Sequence, residues 1–150
     1  MSKTTIRLIK ESDLSNLMRW KNNFKNRFFY QKEITEPEQQ IWYLKYLDND
    51  KNFMFIVEVD SNIKGIGCMG IRLINNYWDI YNVILGDNLY SKKGHMSKAL
   101  KQMISFANSF NSLPIKLDVL EDNPAVKWYL SNDFVIIEKK FNYYSMQYLN

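Results

Sequence analysis

The chain has 150 residues, 46% of them hydrophobic and 15% aromatic, and a formal net charge of +4. That length and composition exclude a disordered chain and fit one folded domain spanning residues 1–150 with a sizeable core. One cysteine, Cys68, and one histidine, His95, exclude an internal disulfide and leave almost no room for a His/Cys metal site or a histidine-based triad, so no metal is expected.

The first strand is predicted over Thr4–Ile9, with Ile6 and Leu8 on one face. Ser12 then stands where a helix N-cap belongs, and a helix carrying Leu14, Leu17, Met18 and Trp20 ends in Lys21-Asn22-Asn23. Asn26–Phe29 reads as a loop rich in Arg and Phe. Thr35 and Glu38 form a capping box with Pro37 in the first turn, starting a second helix that runs to Leu47. The pattern next becomes strand-like: Phe53–Val59, a turn at Asp60-Ser61-Asn62, Ile63–Leu73, a tight turn at Asn75-Asn76, and Tyr77–Leu85. A helix is predicted over Ser97–Asn108, with Ala99, Leu100, Met103, Ile104, Ala107 and Phe110 on one face. A break at Ser112-Leu113-Pro114 leads to a strand at Ile115–Leu120 and a short helix at Ala125–Ser131. A hairpin of Phe134–Ile137 and Asn142–Leu149 closes the chain. The order β-α-α-β-β-β-α-β-α-β-β describes a mixed α/β (α+β) domain.

No run approaches the ~20 apolar residues a membrane span needs, and the N-terminus has no apolar signal core. A cytoplasmic protein without a membrane partner is therefore expected. The mild positive charge suits an anionic small ligand. It lacks the dense basic stripe of nucleic-acid binders, so no nucleic-acid partner is expected.

One stretch carries chemistry. The strand ending at Leu85 feeds a polar loop, Ser91-Lys92-Lys93-Gly94-His95-Met96, and a helix N-terminus at Ser97. Free amides at a helix start, the helix dipole, two lysines and a glycine able to adopt left-handed geometry make an anion site. The same pattern also suits an ordinary solvated turn.

This loop and the segment Asn123-Pro124-Ala125-Val126-Lys127-Trp128-Tyr129-Leu130-Ser131-Asn132-Asp133-Phe134, placed in this element order, resemble the GCN5-related N-acetyltransferase (GNAT) superfamily. The family loop reads Arg/Gln-x-x-Gly-x-Gly/Ala. Gly94 matches it, Ser91 replaces the Arg or Gln, and Met96 replaces the second Gly or Ala. In Asn-x-x-Ala-x-x-x-Tyr-x-x-x-Gly-Phe, Ala125, Tyr129 and Phe134 match. Asn123 lies one residue too close, and Asp133 replaces the glycine.

The resemblance implies a mostly antiparallel central sheet with a splayed strand pair at the cofactor site. It further implies acetyl-CoA as co-substrate, with its pyrophosphate on the amides of Ser91, Lys92, Lys93, Gly94, His95, Met96 and Ser97. His95, at a variable position, is expected to be exposed. Backbone groups of Ile84 and Leu85, with Asn123, would hold the pantetheine arm, and the Tyr129 hydroxyl would protonate the departing thiolate. A phenol is protonated at neutral pH and able to do so. The family's glutamate base falls on Ile80, which cannot be a base; Asp79 is adjacent but turned to the other face by strand alternation.

For the acceptor, the resemblance points to the first two helices and their connection. The Trp-Lys-Asn stretch is similar to that of members acting on nucleotide-linked amino sugars, and more distantly to those acting on polyamines, aminoglycosides or ribosomal-protein N-termini. Trp20, Asn22, Arg27 and Phe29 are the substrate-binding candidates, with Arg19, Lys21 and Arg27 available to a diphosphate and aromatic rings to a base or sugar. Trp20 and Trp42 serve equally well as core anchors. A catalytically silent relative stays open, and so does the oligomeric state, a homodimer included.

Overall fold

The computed structural model describes residues 3–60 and 65–149. Seven strands form one sheet in the order β1-β2-β3-β4-β5-β7-β6. They are β1 (Thr4–Leu8), β2 (Asn52–Val59), β3 (Gly67–Ile74), β4 (Tyr77–Leu85), β5 (Ile115–Leu120), β6 (Phe134–Lys139) and β7 (Tyr143–Tyr148). Every neighbouring pair is antiparallel except β4 and β5. The helices are α1 (Leu14–Asn23), α2 (Glu36–Leu47), α3 (His95–Asn108) and α4 (Ala125–Ser131).

Alternation along the strands divides the apolar residues between two cores. Phe55, Val57, Met69, Ile71 and Ile80 meet Ala99, Leu100, Met103, Ile104 and Ala107 of α3 on one face. Met54, Ile56, Cys68 and Ile84 meet Leu14, Leu17 and Trp20 of α1 on the other, with Trp42, Tyr43 and Tyr46 of α2 packed alongside. A fully buried side chain such as Leu100 contributes about 1.5–3 kcal/mol.

Several boundaries differ from the sequence expectation. Ser12 caps nothing: a 3-10 turn at Glu11–Asp13 precedes α1, and the Asp13 carboxylate accepts the Lys10 N–H at 2.8 Å. That carboxylate also takes two hydrogen bonds from the Arg7 guanidinium, at 2.7 and 2.9 Å. Ser12 lies inside that turn, and Asp13 is the residue that precedes α1. The α2 start is as expected, with the Thr35 hydroxyl and Glu38 carboxylate bonded reciprocally. Helix α3 begins two residues early, at His95, because left-handed Gly94 (φ +80°) turns the chain directly into it. Phe110 lies beyond the end of α3, stacked on Phe53 and edge-on to Phe106. Of the strand expected at Ile63–Leu73, residues 63 and 64 lie outside the described residues, as do residues 61 and 62 of the preceding turn, and β3 starts at Gly67.

Two irregularities shape the middle of the sheet. Strand β4 pairs with β5 only over Trp78–Ile80 against Ile115–Leu117, so the two strands diverge beyond Ile80 and Leu117. The splayed pair expected from the resemblance is present. In β4 itself, Cys68 pairs with Ile84 while Gly70 pairs with Tyr81, which leaves one extra residue in β4. Asn82 takes left-handed geometry there, with φ +50°. This β-bulge bends and twists the strand at the divergence. Among the described residues no helix is long and apolar enough to cross a membrane.

Candidate active site

The divergence of β4 and β5 opens a cleft of about 540 Å³. Its walls come from both faces of the sheet. Val83, Val119, Ala125 and Tyr129 belong to the α3/α4 side; Lys21, Arg72, Asp79, Tyr81 and Asp118 approach from the α1/α2 side. Arg27, Phe28, Phe29 and Tyr30, from the α1–α2 connection, line the cleft as well. The gap therefore links two sides of a sheet that elsewhere is closed by hydrogen bonds.

Tyr129 stands on the α4 wall, 6% exposed, with its ring 5.0 Å from that of Trp128 and 5.6 Å from that of Phe134. Burial pushes its phenol well above the ordinary value, so the hydroxyl keeps its proton. Asn123 lines the same cleft. Its Oδ1 accepts the Ala125 N–H at 2.9 Å, which caps α4, and its Nδ2 donates to the Arg27 carbonyl at 3.1 Å. Asn123 thereby ties the connecting loop to α4.

On the opposite side Asp79 accepts from Arg72 Nε at 2.9 Å, and the Arg72 guanidinium lies 4.1 Å above the Tyr81 ring. Burial raises the Asp79 carboxyl above its ordinary value, while Arg72 opposes the rise. Asp79 lines the cleft from the face opposite the Ile80 side chain, as alternation requires. Asp118 accepts a hydrogen bond from the Ser145 hydroxyl at 2.6 Å.

The loop after β4 leads to the N-terminus of α3. Lys92 (φ +59°) and Gly94 (φ +80°) are both left-handed, and consecutive amides in such geometry form an anion-binding concavity. Gly94 is required by its φ alone, since a Cβ there would meet nothing within 4 Å. The first α-helical bond runs from Lys98 N–H to Gly94 O, so the amides of His95, Met96 and Ser97 precede the intrahelical ladder. The Lys92 and Lys93 side chains are exposed. Ser91 follows a 3-10 turn capped by Asp87. The Met96 side chain packs into the main core and leaves the loop's outer surface bare.

The structure places three side chains and one carbonyl differently from the sequence expectation. His95 is buried, 4% exposed, with Nδ1 hydrogen-bonded to the Thr4 hydroxyl at 2.9 Å; only its backbone faces the loop. Trp20 is 3% exposed and belongs to the α1/α2 core, where its indole fills the space a side chain at Gly86 would need. Asn22 is turned onto Ile34: its Nδ2 donates to the carbonyl and its Oδ1 accepts the N–H, at 2.9 and 2.7 Å. The Ile84 carbonyl is directed at Gly67 in β3. The bulge at Asn82 accounts for this last difference, since it leaves Val83 on the cleft wall and, by alternation, aims Leu85's backbone the same way.

Arg27 and Phe29 do line the cleft. Arg27 lies 4.6 Å from the Phe24 ring centroid, and Phe29, 54% exposed, makes an edge contact with Tyr143 at 5.1 Å. Arg19 is elsewhere, beside Gly86 and Asn88. Arg72, Tyr81, Asn82, Val83 and Asp118 are cleft residues that sequence reasoning missed. For Asp118 the signal was its position in β5 next to the splayed strand; for Asn82 it was the residue type, which tolerates left-handed geometry.

The chain's relations to known proteins accord with this arrangement. No curated protein sequence matches the chain. Among solved structures it is similar to a domain from Methanocaldococcus jannaschii (TM-score 0.85, 20% identity, 98% of each chain covered). It is also similar to spermidine N-acetyltransferase from Vibrio cholerae in complex with CoA and spermine (TM-score 0.77, 23% identity, 96% of this chain and 92% of that one). A third is the PaiA N-acetyltransferase from Thermoplasma acidophilum in complex with coenzyme A (TM-score 0.74, 16% identity, 97% and 98%). These likenesses establish the shared fold. Residues 3–128 match the acetyltransferase (GNAT) domain, and the chain belongs to that family.

Proposed function

We propose that the protein is an acetyl-CoA-dependent N-acetyltransferase acting on a primary amine of a small molecule. The observation that carries this is the cleft through the splayed β4–β5 pair, with a protonated phenol on one side and charged side chains on the other. Two reactants entering from opposite faces of the sheet meet there in a fixed orientation, which is the main requirement of a bimolecular transfer.

Acetyl-CoA supplies an acyl carbon activated as a thioester. The residues present fit it. The left-handed amides around Lys92 and Gly94, with the two lysines, suit a pyrophosphate. The backbone of Val83 and Leu85, left without a β5 partner by the splay, suits the amides of the pantetheine arm, and Asn123 braces the same wall. Tyr129 donates a hydrogen bond to the sulfur as charge develops on it, then passes on its proton and recovers one from the acceptor nitrogen. Asp79 and Asp118 draw the acceptor's ammonium to the cleft floor.

The acceptor proposed first is a nucleotide-linked amino sugar. The cleft holds two permanent cations, Arg27 and Arg72, against two carboxylates, one already paired with Arg72, and among the described residues Arg27 forms no ion pair. That balance favours an amine carrying negative charge elsewhere, with Arg27 and Phe29 meeting the nucleotide part. The second reading is a polyamine, which the two carboxylates and the spermine-bound relative from Vibrio cholerae favour.

Calorimetry with acetyl-CoA tests the donor; no binding at high micromolar ligand would refute the proposal. Thiol release with amino-sugar nucleotides, spermidine and peptide amines tests the acceptor. Preference for spermidine would replace the first reading with the second.

A further inference from the structure

Lys21 stands apart from the other basic residues. It lines the cleft, and together with Asn82 it also lines a smaller cavity of about 160 Å³ beneath α1 and α2. Its Nζ donates to Asn82 Oδ1, at the bulge where β4 leaves β5. The same nitrogen lies 3.7 Å from the centroid of the Phe28 ring. Among the described residues no carboxylate forms an ion pair with it.

We infer that Lys21 is the general base of the acetyl transfer, taking a proton from the acceptor's ammonium inside the cleft. This rests on the acetyltransferase reading above. The chemistry requires such a group. An amine acceptor arrives protonated at neutral pH, and its nitrogen has no lone pair until one proton leaves. The glutamate expected by resemblance falls on Ile80, whose side chain lies in the main core. Asp79 is engaged by Arg72 and is a carboxyl, far more acidic than an ammonium, so proton transfer to it is steeply uphill.

Lys21 meets the requirement better. Burial lowers its pKa to about 8, and the Arg72 charge lowers it further. The charged and titratable groups lining the same two cavities are Cys68 and Arg72 of β3, Asp79 and Tyr81 of β4, Asp118 of β5, Tyr129 of α4, Tyr143 of β7, Arg27 and Tyr30 of the connecting loop and Glu38 of α2. A neutral lysine keeps two N–H donors, one for Asn82 Oδ1, and a lone pair free for the acceptor.

The proton count closes. Lys21 takes one proton from the acceptor's ammonium. The freed nitrogen lone pair forms the new C–N bond as the C–S bond breaks. A second proton reaches sulfur by way of Tyr129, the third stays on the amide nitrogen, and Lys21 returns its proton to water.

The test uses the full chain. In lysine-labelled protein followed by NMR, Lys21, assigned by its loss in Lys21→Arg, should titrate near pH 8, well below the ordinary lysine value of about 10.4. With whichever of spermidine or an amino-sugar nucleotide turns over, kcat/KM of the parent should rise to a plateau near pH 8. Lys21→Met should fall about 10²-fold at that pH, and its rising limb should move up toward the acceptor's own pKa, about 10. Lys21→Arg, which never deprotonates, should behave the same way. Acetyl-CoA affinity, read by calorimetry, should be unchanged in both. A Lys21 that titrates at the ordinary lysine value of about 10.4, or a Lys21→Met enzyme that keeps both rate and limb, overturns the inference alone. A parent that fails to bind acetyl-CoA overturns the acetyltransferase reading and this base with it.

Discussion

Thr4 Oγ1 and His95 Nδ1 are hydrogen-bonded at 2.9 Å in a buried contact, which fastens the first strand to the first turn of α3. The proposed pyrophosphate loop is thus anchored by a residue 91 positions away. Thr4→Val keeps the shape and removes the partner, leaving a buried ring nitrogen unsatisfied. The expected cost is about 1–3 kcal/mol in urea unfolding. Acetyl-CoA binding should weaken too, because the helix start loses its fixed position. Thr4→Ser should restore most of both.

Tyr129→Phe tests the other wall. Turnover should fall about 10²-fold while acetyl-CoA affinity, read by calorimetry, stays within a factor of about two. Because burial pushes the phenol upward, the parent should show no loss of activity from its ionisation at pH 10, near where a free phenol titrates. Equal turnover of mutant and parent would remove Tyr129 from the proton path.

Asn22→Ala removes both hydrogen bonds to Ile34. Those bonds fold the α1–α2 connection back on the end of α1 and hold Arg27, Phe28 and Phe29 at the cleft. The stability cost should be about 1–2 kcal/mol. The larger effect should be a raised KM for the acceptor and faster proteolysis within residues 25–34, with acetyl-CoA binding nearly intact. Asn22→Asp cannot donate to the Ile34 carbonyl and should recover only part of the loss.

Asp13 sets an acid limit on stability. Burial acts to raise its pKa, but the Arg7 hydrogen bonds and the Lys10 N–H outweigh this and hold it below the ordinary carboxylate value. A group whose folded pKa is depressed contributes stability that is present above its unfolded pKa and is lost as pH falls through the folded one. Asp13→Asn should therefore cost about 2 kcal/mol at neutral pH, the scale of a charge-assisted bond. The gap between mutant and parent should close below about pH 4. Urea midpoints across that range measure it.

The features legible from the sequence were those with a local cause. Thr35 and Glu38 announced α2 because a capping box is a contact between residues three apart. The succession β2-β3-β4 was legible because turn signals after Val59 and at Asn75-Asn76 punctuate the alternation. Gly94 pointed to the loop because left-handed geometry restricts residue type. What stayed hidden depends on distant partners. The burial of His95 rests on Thr4, the inward turn of Asn22 on Ile34, and the place of Asp13 ahead of α1 on a bidentate bond from Arg7. Trp20 reads equally as a stacking ring and a core anchor until Gly86 is seen to leave room for it. The bulge at Asn82, where alternation along β4 slips by one, has no signal in the sequence beyond the residue type.

That slip works like a crank in the strand. Before Asn82, the even-numbered residues Trp78 and Ile80 face α3. After it, the even-numbered Ile84 faces α1 and the odd-numbered Val83 and Leu85 face α3. Deleting Asn82 would straighten the crank and reverse the side chains from there to Leu85, sending Ile84 toward α3 and Val83 and Leu85 toward α1. One residue in excess lets a single strand serve two cores and still present its edge to a ligand.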